Sequence, residues 1–338
     1  MTDVAVAGKL ASASPRRAVF LSALFVCTIM TTVAYPVIGS VFEPAAYQQH
    51  AIILMLGWFA TAHVGVTGFY YADREFRPHI LANRTRYIYA PAIILATSII
   101  AWGMTTGTPY FWIFWQIYHA WLLWHYMRQN VGVTALAAQA SQSSRLERAD
   151  RLAITLVGIG GIVAAARFGP VGPFAQKTLL FNLGLAIYLA GFGLGLFQAA
   201  KRILGGRREW ITAAFILASV LFFAPTFFGS SYFTAIVGYA TAHALQYWLL
   251  MTLVAVGGGQ KYGVARSVMS LLVMVGVIWA FIWISRQGSM WGTWAAWVAG
   301  VGIGLTFAHF IVDADSWRLR EAFQRNYVNG RLGKYLRS

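Results

Sequence analysis

Ten apolar stretches, most near the ~20 residues that carry a helix across a ~30 Å hydrocarbon layer, dominate this 338-residue chain. They cover 18–42, 49–71, 87–104, 109–127, 152–166, 178–199, 211–228, 232–256, 267–284 and 291–311. Helices are the expected spanning form, because lipid offers no partner for a free backbone N–H or C=O. The fifth stretch is short and rich in glycine (Gly158, Gly160, Gly161). Hydrophobic residues make up 59% of the chain and charged ones 11%. That is more apolar surface than a soluble domain can hide. Disorder is excluded by the same low charge and by the abundant Trp, Tyr and Phe. Cys27 stands alone, so no internal disulfide forms. The expected fold class is an all-α, polytopic membrane helix bundle.

The basic residues give the stretches a direction. With the N-terminus in the cytoplasm, 23 of the 26 Lys and Arg fall in the N-terminal segment, 72–86, 128–151, 200–210, 257–266 and the tail. Only Arg167, Lys177 and Arg286 fall on the other side. Positive charge concentrated on alternate connections is the positive-inside pattern, and removing one span would scramble it. Ten spans with both termini inside are therefore expected, in a cell inner (plasma) membrane. The net charge of +16 reads as topology and contact with anionic lipid, and no nucleic-acid partner is expected. The organisation is a cytoplasmic segment over 1–17, a transmembrane domain over 18–311 and a basic tail over 312–338. In the tail, Leu319, Phe323 and Tyr327 recur every fourth residue among arginines. That spacing suits a short helix on the cytoplasmic face, or one packed on the loops.

An ionisable group inside a span is costly, so each is a functional candidate. Five of the seven histidines lie within spans: His63, His119, His125, His243 and His309. All sit on even-numbered spans, which run from outside to inside. Four of them fall within about 12 Å of the inner end at ~1.5 Å per residue, and His243 lies deeper. Each has polar neighbours. Thr67 is one turn from His63, Gln116 precedes His119 by three, Gln129 follows His125 by four and Asp313 follows His309 by four. Tyr239 and Tyr247 flank His243, and Asp73 closes the second span. His119 and His125 are six apart, about 120° around a helix, so one face does not present both. Phe59–His63 recurs as Tyr239–His243, 180 residues later, as Phe-Ala-Thr-Ala-His and Tyr-Ala-Thr-Ala-His. An internal duplication would produce that repeat.

Imidazoles from four helices with a nearby carboxylate make a workable metal-ligand set. His63, His119, His243 and His309 are the first candidates, with His125 and Asp313 as further ligands or as groups holding the rings. Tyr118, Gln129 and Tyr247 are candidates for positioning oxygen or substrate. Iron is preferred to zinc, because oxygen chemistry on a lipophilic polyene, sterol or fatty chain benefits from a water-excluded site. Bis-histidine haem ligation, for instance by His63 and His243, is an alternative. A transporter or an assembly factor is another. The tryptophans at 121 and 124 flank the fourth-span histidines, whereas the aromatics at 110–112 and 291–294 suit an interfacial belt. Gly257-Gly258-Gly259 lacks the P-loop lysine and serine spacing.

The arrangement of His63, His119/His125, His243 and His309 in a chain of this length resembles the Brp/Blh-type membrane carotene dioxygenases. That resemblance implies a polytopic protein whose iron is held by histidines from several helices. The family's His-Gly…Asp pattern is not reproduced: Val64 follows His63, and Asp73 is ten residues on. The even-helix histidines with duplication are also similar to the haem A synthase family, but no acidic residue lies within a turn of His63, His119 or His243.

Overall fold

The structure is a computed structural model and describes residues 15–41, 61–169, 176–229, 232–285 and 287–336. Lys9, His50, Phe59, Ala60, Arg286 and the first part of the second expected span lie outside these residues. Among the described residues there is no strand. The principal helices are α1 (Pro15–Val41), α2 (61–66), α3 (Ala90–Thr105), α4 (Phe111–Ala140), α5 (Arg148–Ala165) and α6 (Lys177–Leu204). They continue with α7 (Trp210–Leu221), α8 (Tyr232–Tyr262), α9 (Val264–Ser285), α10 (Ala295–Ser316) and α11 (Ala322–Leu336). Among the described residues, seven helical segments are long and apolar enough to cross a membrane: Thr85–Thr105, Arg148–Phe168, Lys177–Leu204, Arg207–Phe228, Gly238–Gly258, Val264–Ser285 and Gly292–Ser316. The chain is thus an all-helical, multi-pass membrane protein.

Glycine decides which helices touch. A Cβ on Gly160 would lie 2.6 Å from the Gly184 carbonyl oxygen, and one on Gly184 would lie 2.6 Å from the Ala164 nitrogen. The glycines that shorten the apolar run of α5 therefore let its backbone meet that of α6. In lipid, where burial gives helices little reason to associate, such close approach supplies the dispersion contact. Gly300 and Gly304 do the same for α10 against Ile99 and Leu95 of α3.

α4 departs from the expected boundaries. It continues past residue 127 to Ala140, so much of the segment expected as an inner connection is helix. The reason is burial: Asn130, Val133, Thr134, Leu136, Ala137, Ala138 and Ala140 all face the interior. His125 is thereby the fifteenth of thirty residues and not the end of its helix. His243 and His309 are likewise followed by further helix, to Tyr262 and Ser316.

The tail is docked. α11 buries Tyr327, Val328, Leu332 and Leu336 against the core that contains Phe20, Leu24, Tyr70 and Phe76. At its centre Arg331, 4% exposed, sends Nη2 to Asp73 Oδ2 at 2.7 Å and Glu75 Oε2 at 3.1 Å. Its Nη1 donates to the Val254 carbonyl at 3.2 Å, and its guanidinium lies over the Tyr327 ring. Gly257 and Gly258 make the room, since a Cβ on either would strike Arg331. The glycine run after span eight is a socket for an arginine.

His79 also holds the tail, stacked on Phe323 at 4.1 Å between ring centroids and 3.3 Å from Gln324 Nε2. Burial, and then the Arg86 charge, lower its pKa from 6.5, against smaller opposing contributions from Asp315 and Glu321. The folded state then binds the proton more weakly than the unfolded one. Its contribution is full above about pH 6.5 and is lost as pH falls through the lowered value. Lowering the pH from 7.5 to 5.5 is expected to increase tryptic cleavage at the exposed Arg325, and His79→Phe to flatten that pH dependence.

Candidate metal centre

Four of the five histidines expected within spans converge. Their backbones come from α2 (His63), α4 (His125), α8 (His243) and α10 (His309), and all four side chains are buried. Ring centroids are 4.6 Å apart for His63–His243, 5.0 Å for His63–His309, 4.8 Å for His125–His243 and 5.2 Å for His125–His309. The Nε2 atoms of His63 and His243 are 3.0 Å apart. One ring nitrogen from each of His63, His243 and His309 falls within 4.8 Å of the others.

The separations fit a shared ion. Two nitrogens bound at ~2.1 Å to one ion lie about 3.0–3.4 Å apart when adjacent and about 4.2 Å apart when opposite. The His63–His243 pair is at the first distance, and one ring nitrogen of His309 lies within 4.8 Å of one from each of them. Unsatisfied atoms point the same way. His309 Nε2, His125 Nε2, His243 Nδ1 and Asp313 Oδ1 are buried without a hydrogen-bond partner. An unpaired buried polar atom costs about 1–3 kcal/mol, so a further ligand that reached any of these would be stabilised.

The surrounding groups aim the rings. Thr67 Oγ1 lies 2.5 Å from His309 Nδ1 and 3.0 Å from the Tyr247 hydroxyl. With Nδ1 engaged, Nε2 of His309 is left to face the pocket. Asp313 Oδ2 is 3.7 Å from His125 Nε2, so the carboxylate one turn from His309 sits beside a different histidine. Gln129 Nε2 donates to the His243 carbonyl at 3.2 Å and to Gln246 Oε1 at 2.9 Å. Gln246 in turn donates to Thr28 Oγ1 and Asn130 Oδ1. This amide network, absent from the sequence reading, pins α8 to α1 and α4 directly below His243.

His63 lies against His243, and Thr67 against Tyr247 one turn on.

His119 is elsewhere. Its Nδ1 is 2.7 Å from the Trp115 carbonyl, and its ring lies 3.7 Å from the Trp115 ring and 4.7 Å from that of Tyr118. The ~120° between positions 119 and 125 sends the two to different surroundings, and the structure brings His125 to the other three histidines. Tyr118 stays with His119, packed on Phe307 and Trp102. Trp121 packs on Phe307, and Trp124 is exposed. Gln129, one turn from His125, pairs with Gln246, one turn from His243. No protein-family model, curated protein or solved structure matches this chain.

Proposed function

We propose that the protein is a membrane-embedded metalloenzyme in which His63, His125, His243 and His309 hold one iron ion, with Asp313 as a further ligand or ring-orienting group. The observation that carries this reading is the meeting of four imidazoles, with unpaired buried nitrogens, from four separate helices. A buried histidine in a bundle ordinarily finds a helix–helix hydrogen bond. Here three of the four retain a ring nitrogen without one. Imidazoles with a carboxylate suit iron, zinc or copper. More than four available donors favour iron over a closed tetrahedral zinc site.

A haem is disfavoured at this pair. Two axial ligands ~2 Å from a haem iron stand about 4 Å apart with the macrocycle between them. The 3.0 Å between His63 and His243 leaves no place for that plane.

Iron, when bound, would supply oxidation chemistry with dioxygen as the oxidant, so the reading is a non-haem iron oxidoreductase acting on a lipophilic substrate. The resemblance to the Brp/Blh-type carotene dioxygenases supports the same class. This chain's own residues orient the centre: Thr67 fixes which nitrogen of His309 faces the pocket, and the Tyr247 hydroxyl lies 3.0 Å from Thr67 Oγ1 beside it. The wider proposal keeps ten spans, both termini in the cytoplasm and an inner-membrane location, supported by the division of basic residues. The test is metal analysis with an absorption spectrum of the purified protein. Near-stoichiometric iron with no Soret band is expected. A Soret band would support haem, and a metal-free, folded protein would overturn the proposal.

A further inference from the structure

An apolar cleft approaches the histidine cluster. A cleft of about 310 Å³ reaches His309 and Thr67, lined by residues from α3, α9 and α10 with the segment that follows α2. Leu95, Met274, Ile278 and Ala308 are among its walls. Gly68 keeps one wall back, since a Cβ there would lie 2.7 Å from Met274 Cε and 3.1 Å from Ile278 Cδ1. The neighbouring surfaces of α3 and α9 are exposed and apolar, with Ile93 and Ile100 on one and Leu272, Val273 and Val277 on the other. In a membrane-spanning chain such surfaces face hydrocarbon, so the cleft opens sideways into the bilayer.

We propose that this cleft holds one acyl chain of a bilayer lipid, entered laterally between α3 and α9, with the chain running toward His309. The cleft itself is independent of the metal. Only the idea that the chain is the substrate rests on the reading above. Volume and polarity select the occupant. At about 30 Å³ per water-sized group, 310 Å³ takes roughly ten methylene-sized groups in file. That matches a stretch of one chain, whereas fused sterol rings or two chains need more room. Apart from His309 Nε2 at the inner end, polar groups on the walls are engaged: Tyr71 donates to the Tyr87 carbonyl, and Thr67 pairs with Tyr247 and His309. Nothing inside would recognise a headgroup, which stays at the mouth.

The experiment uses the full chain in nanodiscs containing phosphatidylcholine with a diazirine near the end of one acyl chain. Cross-links are mapped by mass spectrometry, and metal is measured on the same samples. Several-fold enrichment at Leu95, Met274, Ile278 and Ala308 over the exposed Leu183 and Leu189 of α6 is expected. Ala92→Trp, at an exposed position on the cleft lining, is expected to bring that enrichment to background. Uniform labelling of exposed apolar residues overturns the proposal, as does displacement of the label by cholesterol at low mole fraction. Enrichment in a metal-free protein overturns the metal reading and leaves the cleft intact. Uniform labelling in a metal-loaded protein does the reverse.

Discussion

His243→Ala is expected to empty the metal centre while His119→Ala leaves it filled. His243 contacts two of the other three histidines closely, with Nε2 3.0 Å from that of His63 and its ring 4.8 Å from that of His125. Apparent binding energies for ions held by four protein ligands are roughly 10–16 kcal/mol. One ligand in four is then worth about 2.5–4 kcal/mol, or roughly a 100- to 1,000-fold loss of affinity. His119 is also a buried imidazole, on the same helix as His125, but packs on Trp115, so its removal controls for general damage to a core histidine. Metal content after purification, with helicity compared by circular dichroism, separates the two. Thr67→Val should fall between them, since groups that orient a ligand typically contribute 10- to 100-fold. Equal metal loss from His119→Ala and His243→Ala, with helicity unchanged, contradicts the assignment.

Arg331→Ala is expected to release α11. The guanidinium is the common partner of the buried Asp73 and the more exposed Glu75 and caps the Val254 carbonyl, and is itself almost closed to solvent. Breaking a buried pair from one side costs about 3–5 kcal/mol, because the partner charge stays buried. Asp73 would keep only the Tyr327 hydroxyl at 3.1 Å and the backbone amides of Glu75 and Phe76. Rapid hydrogen exchange over 322–336 and a lowered unfolding midpoint are the expected readouts. The double variant Asp73→Asn with Arg331→Met should recover much of the loss, because it removes both buried charges together. Arg331→Lys should recover less than half, since an ammonium lacks the fork that reaches Asp73, Glu75 and Val254 at once. A tail that stays protected in Arg331→Ala contradicts the ion-pair account.

The sequence carried the helical class plainly, because apolar length and low charge depend only on composition along the chain. It also carried the histidines, since an ionisable residue inside a span stands out against its neighbours. What it did not carry was which side of α4 faces inward. His119 and His125 both lie among aromatics, and the choice is made by packing: Trp115 takes one ring, while the other meets His243 and His309. Long-range partners were equally hidden. Asp73 read as a helix terminator and Gly257-Gly258-Gly259 only as a run without P-loop spacing, yet Gly257 and Gly258 admit Arg331 from 74 residues downstream of Gly257. The end of α4 was misplaced because residues 128–140 are too polar for a lipid-facing run but bury their polar side chains against α1, α7 and α8, as the Asn130–Gln246 and Thr134–Ser219 contacts show.

X-ray absorption at the edge of the bound metal tests the central claim most directly, because it reads the ligands and not merely the presence of an ion. The account predicts an iron edge, a nearest shell dominated by nitrogen at ~2.1 Å, and the outer-shell scattering of about four imidazoles that weakens in His243→Ala. A nearest shell of oxygen without imidazole scattering, or a folded protein with no metal to measure, would contradict it.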